Sequence, residues 1–126
     1  MNAKFFLLAG AVFNLLAVVL GAFGAHALKN KLSADLLRVY HTAVEYQFYH
    51  ALALLAIGIL MLQWPHNTVL KSSGLSFFVG VLLFSGSLYA LALSGVRWLG
   101  AITPLGGVAF IIGWILLSLA IWRQAI

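Results

Sequence analysis

Four long stretches of this chain contain no Asp, Glu, Lys or Arg: Phe5–Leu28, Tyr46–Leu70, Ser72–Val96 and Trp98–Trp122. A helix needs about 20 predominantly apolar residues to cross the roughly 30 Å hydrocarbon core of a bilayer. Four crossings therefore use nearly all of the 126 residues. The chain is expected to be all-α, a single domain over residues 1–126 built as a bundle of four transmembrane helices. A composition of 64% hydrophobic and 7% charged residues fits this reading, because soluble domains carry about a quarter of their residues charged.

A net charge of +5 would suggest nucleic acid if the basic residues formed a patch. They do not. Lys4, Lys29, Lys31, Arg38, Lys71, Arg97 and Arg123 sit beside the apolar stretches, where charges hold helix ends at lipid headgroups. Membrane lipids are the expected surroundings, and nucleic-acid binding is not expected. With no cysteine there is no disulfide, thiol nucleophile or thiolate metal site. Lys4, the apolar run and Ala25-His26-Ala27 imitate a signal peptide, but the run exceeds the usual length of about 7–15 residues. Lys29 and Lys31 also follow the supposed cleavage site, so this segment reads as a retained first helix.

The spacing predicts helices over about 5–28, 34–64, 74–96 and 98–122. In the first, Gly10, Asn14, Ala17, Gly21 and then Gly24 or Ala25 form one small and polar stripe, a packing face on which Asn14 needs a partner from another helix. In the second, Ser33 is a good N-cap and Asp35 complements the helix dipole. No breaker follows until Pro65, and a helix from Ala34 to Trp64 would be about 46 Å long. Its N-terminal third is expected in the headgroups, along the surface or in water. In the fourth, either Pro104 kinks a helix that starts near Trp98, or Thr103 caps one that begins at Pro104. Gly106, Gly113 and Ala120 recur every seven residues, while Gly100, Pro104, Gly107 and Ser118 define a second face. Two such faces suggest two neighbours or a second subunit. An even number of crossings puts both termini on one side. The basic pair Lys29 and Lys31 tips the first loop toward the cytoplasm and the termini toward the periplasm.

Three segments carry a family resemblance: Gly21-Ala-Phe-Gly-Ala-His26, Tyr46-Gln-Phe-Tyr-His-Ala-Leu-Ala-Leu-Leu55 and Ile102-Thr-Pro-Leu-Gly-Gly107. The chain resembles the YgdD-like family of small bacterial inner-membrane proteins, a domain-of-unknown-function family with eukaryotic relatives known only as transmembrane proteins. The likeness spans essentially the whole length. It implies a four-helix protein of the inner membrane and brings no catalytic residues with it.

Polar chemistry concentrates at the start of the second helix. Arg38, His41, Thr42, Glu45, Tyr49, Ala53, Ala56 and Gln63 share one stripe about 120° wide, interrupted by Leu52. Lipid does not tolerate such a face, which is expected to meet protein or a hydrated crevice. His41 and Glu45 stand i,i+4, and His26 can join them from the end of the first helix. His50 lies deeper, with Tyr46 one turn before it. The favoured reading of this set is structural: Arg38, His41 and Glu45 satisfy one another near the membrane boundary, and His26, Tyr49 and His50 bond between helices. A site for a lipid headgroup or small amphiphile on Arg38, His41 and Glu45 comes next. Metal bound by His26, His41 and Glu45, or haem between His26 and His50, lacks an H-E-x-x-H or paired E-x-x-H motif. A membrane enzyme comes last, since no nucleophile–base–acid set is visible. No metal or cofactor is expected. The function read from sequence is that of a non-enzymatic oligomeric scaffold or accessory subunit of the inner membrane, partnered by itself or another membrane protein. The alternative is a lipid or small-molecule binding or permeation protein built around Glu45.

Overall fold

The structure is a computed structural model describing residues 2–126, and every described element is helical. Helix α1 runs over Ala3–His26 and α2 over Ala34–Gln63. Helix α3 is the continuous span Thr68–Ser94, and α4 is Thr103–Arg123. Three N-termini are closed by side chains, as the free N–H groups of a first turn require. Asn2 accepts from the Phe5 amide, Ser33 from Leu36 and Asn67 from Leu70.

Two boundaries differ from expectation. Helix α3 begins at Thr68, not at 74, because Asn67 caps it directly after the Pro65-His66 turn. It ends at Ser94 because Gly95 takes the left-handed conformation, with φ 73°, a C-terminal role glycine fills without strain. The alternatives at Pro104 are also decided. Arg97–Ala101 is a 3-10 turn, and the α-helix starts at Thr103 with Pro104 in its first turn. There the missing N–H has no intrahelical partner to lose, so Pro104 does not kink α4; Thr103 is the first helical residue and not the expected cap, its hydroxyl meeting that of Ser87 at 2.7 Å instead.

Helix α1 lies along α2, α4 lies along α3, and α2 and α3 meet between them. Each flanking helix buries one narrow row: Phe6, Gly10, Ala17 and Gly24 on α1, and Gly106, Phe110, Gly113 and Ala120 on α4. Their other faces carry exposed Leu8, Leu15 and Val18, and Val108, Ile111 and Ile115, which suits contact with lipid chains.

The glycines set how close the helices come. A Cβ on Gly10 would stand 2.8 Å from the Ala51 carbonyl oxygen, and one on Gly113 would stand 2.6 Å from the Phe77 ring. Gly106 meets the backbone of Phe84, within a π-helical turn at Val81–Ser85. One glycine face of α4 is thus used inside the chain, Gly106 and Gly113 packing on α3, while Pro104 and Ser118 of its second face stay exposed. On α1, Gly21 faces Val44 of α2.

Asn14 departs from expectation: its amide donates to the Gly10 carbonyl at 2.8 Å on its own helix. The N-terminal part of α2 is held against the end of α1: Tyr40 is fully buried against Gly24 and packs with Leu28 of the first loop.

Candidate functional site

The antiparallel register of α1 and α2 fixes depth. Gly24 faces Tyr40, Gly21 faces Val44, and Gly10 faces Ala51 and Leu55. By this register Arg38 is level with His26 at the end of α1. Glu45 is seven residues further in, about 10 Å along the axis. It lies beside Gly21, five residues inside the end of α1 and alongside that helix's apolar stretch. The reason is the tertiary pairing, which draws the polar start of α2 alongside α1.

The expected polar cluster does not assemble. Arg38 pairs with Asp35 one turn back, and both side chains are exposed. Among the described residues no hydrogen bond or ion pair joins His26, His41 and Glu45, and no group of three candidate metal ligands is gathered. Glu45 is exposed; Tyr49, itself exposed, donates to its carboxylate at a long 3.5 Å. Thr42 turns back to the Arg38 carbonyl at 3.0 Å.

The stripe therefore faces outward in the single chain. Its geometry is regular. Arg38, Glu45, Leu52 and Ile59 are exposed and spaced by seven, as are Tyr49, Ala56 and Gln63 in a second row that starts at the half-buried Thr42. Ala53, assigned to the stripe from sequence, is buried instead. The corresponding open face of α3, with Leu75, Val79, Leu82, Gly86, Ala90 and Leu93 exposed, is apolar but for Ser72 in its first turns.

His50 belongs to a different environment. It is buried, stacked on Phe110 of α4 with ring centroids 3.6 Å apart. Its Nδ1 lies 2.8 Å from the Tyr46 carbonyl, and its Nε2 accepts from the Trp114 indole at 3.1 Å. A carbonyl only accepts and an indole N–H only donates, so the ring is neutral and protonated on Nδ1.

Sequence reasoning missed the polar residues that tie the bundle together. Gln47, 3% exposed, donates to the Phe13 carbonyl at 2.8 Å and accepts from the Tyr89 hydroxyl at 2.6 Å, joining α2 to α1 and α3. Tyr40 donates to the Leu20 carbonyl at 2.5 Å. Ser85 donates to the Ala43 carbonyl at 2.8 Å, and Ser73 to that of Gly113 at 2.6 Å. The available signal was Gln47 itself, an amide deep in an apolar stretch that needs partners on neighbouring helices.

The profile of a family described as "Protein of unknown function (DUF423)" matches residues 20–107. This chain belongs to the DUF423 family. Curated relatives extend the likeness to almost the full length. The UPF0382 membrane protein YwdK of Bacillus subtilis is 49% identical over 117 residues, covering 93% of this chain and 95% of the relative. A UPF0382 membrane protein of Staphylococcus saprophyticus is 49% identical over 120 residues, covering 95% and 98%. One from Staphylococcus epidermidis is 49% identical over 122 residues, covering 97% and 98%. No solved structure matches the chain. This DUF423 chain is thus a four-helix membrane protein of a family whose function is unassigned, in agreement with the unassigned role implied by the sequence resemblance.

Proposed function

We propose that the protein is a non-enzymatic assembly component of the bacterial inner membrane, a scaffold or accessory subunit that docks a transmembrane helix on the open face of α2. Its first loop is cytoplasmic and its termini periplasmic in this reading, following Lys29 and Lys31. The observation that carries the proposal is Glu45: an exposed carboxylate alongside the apolar stretch of α1, bonded only by a long contact from Tyr49. An ionised carboxylate facing lipid is costly within the hydrocarbon, by up to about 2.5–3.5 kcal/mol at its centre on insertion scales. A helix that covers the stripe removes that exposure and offers polar partners. The Gly106, Gly113 and Ala120 face that helped motivate assembly from sequence is spent on internal packing, and the exposed carboxylate puts the association surface of this reading on α2.

Native mass spectrometry of protein released from lipid nanodiscs tests the proposal. A discrete complex above the single-chain mass, lost in Ala56→Leu, is the expected result, because Ala56 is exposed and its enlargement leaves the fold alone. A single chain in both proteins overturns assembly. The alternative reading, a bound lipid or small amphiphile on Arg38, His41 and Glu45, draws on the same carboxylate. A stoichiometric adduct on a single chain, lost in Glu45→Gln, would establish it instead.

A further inference from the structure

The two outward rows of α2 alternate by three and four residues, all exposed but the half-buried Thr42: Arg38, Thr42, Glu45, Tyr49, Leu52, Ala56, Ile59 and Gln63. A strict seven-residue repeat is the pattern of helices that wrap in a left-handed sense, each side chain entering a hole made by four residues of the facing helix. This repeat runs for more than three heptads on a face the chain itself leaves open. We propose that the helix docked there is α2 of a second copy, related by a two-fold axis along the bilayer normal. This rests on the assembly reading above and names its partner.

Depth is the first reason. Glu45 needs polar groups at its own level, and a two-fold axis along the normal brings each residue to its own depth on the other copy. In heptad packing, Glu45 of one copy enters the hole that contains Thr42, Tyr46 and Tyr49 of the other. Hydrogen-bonding capacity is the second reason. Tyr46 and Tyr49 are 37% and 53% exposed, and the Tyr49 hydroxyl makes only its 3.5 Å contact within the chain. The stripe thus carries an acceptor and donors within one turn of each other, which makes it complementary to itself. Contact area is the third reason. Below Glu45 the stripe continues as Leu52, Ala56 and Ile59, with Ala56 small enough for close approach. The apolar open face of α3 has no comparable need for cover.

The chain has no cysteine, so single cysteines report on association directly. Leu52→Cys and Ile59→Cys in native membranes, oxidised with copper–phenanthroline, are expected to yield disulfide-linked dimers about tenfold more than Leu82→Cys on the open face of α3. Adding Ala56→Leu should reduce both several-fold. Dimers from Leu52→Cys without Ile59→Cys overturn the parallel two-fold, because only a parallel pair keeps both residues opposite themselves. Crosslinking at neither position, while native mass spectrometry still shows a complex broken by Ala56→Leu, overturns the second copy alone and leaves a different partner on α2. Absence of both signals overturns the assembly reading as well.

Discussion

Trp114 of α4 donates its indole N–H to Nε2 of His50 on α2 at 3.1 Å. This bond joins α2 to α4 beside the stacking of His50 on Phe110 and makes His50 an acceptor. The same ring is held from below by the Tyr46 carbonyl and from one face by Phe110. Imidazole nitrogen NMR should therefore show Nδ1 protonated and Nε2 bare. Trp114→Phe, which keeps an aromatic ring against Phe77, should cost about 0.5–1.5 kcal/mol in reversible unfolding, the net worth of one hydrogen bond. A spectrum with Nε2 protonated would refute the assignment.

Close glycine contacts predict a graded series. Gly106 abuts the Phe84 backbone, which cannot swing away, whereas Gly107 meets only the Phe84 ring at 4.0 Å and Gly86 meets nothing. Gly106→Ala should destabilise by about 1–3 kcal/mol, the usual range for overpacking. Gly107→Ala and Gly86→Ala should be neutral or mildly stabilising, since alanine favours helix over glycine. Gly113→Leu should prevent folding and not merely separate subunits, as it would drive a side chain into Phe77. Thermal unfolding in mixed micelles ranks these variants, and equal losses at Gly106 and Gly107 would contradict the packing.

Gln47 and Tyr89 should behave as a coupled pair. Gln47→Leu leaves the buried Tyr89 hydroxyl without its acceptor and the Phe13 carbonyl without its donor, at a cost of about 1–3 kcal/mol. Tyr89→Phe alone should cost less, and the double variant should lose clearly less than the sum. Additive losses in the double-mutant cycle would show that the two groups do not interact.

The outer stripe should contribute little to the stability of a single chain. Arg38 and Asp35 are both largely exposed, with 74% and 71% of their side chains accessible, and such pairs are worth about 0–1 kcal/mol. Arg38→Gln should shift unfolding of the detergent-solubilised single chain by under about 0.5 kcal/mol, as surface substitutions do, whereas Glu45→Gln, which removes a charge from an apolar-facing position, should leave it unchanged or stabilise it. A loss of several kcal/mol from Glu45→Gln would mean that the carboxylate holds the chain's own fold together.

Charge-free length determined the class of this protein from its sequence alone. An apolar run long enough to span a bilayer has few alternatives to a transmembrane helix, and caps such as Ser33 are local contacts that need no tertiary knowledge. The small faces of α1 and α4 were equally legible as packing faces, because close approach demands small residues wherever the partner comes from. Which partner they meet was not legible: Gly106 and Gly113 meet α3 of the same chain, a choice made by the pairing of helices. Depth was hidden for the same reason. Counting residues from the loop does not say what Glu45 lies against; the register of Gly24 with Tyr40 and Gly21 with Val44 sets it alongside the apolar stretch of α1. The i,i+4 spacing of His41 and Glu45 permitted a bond that the side chains do not make, because Arg38 turns to Asp35 and Glu45 faces out. Periodicity along one helix specifies which residues share a face; only the docking of the other three decides whether that face is core, lipid contact or a surface left open.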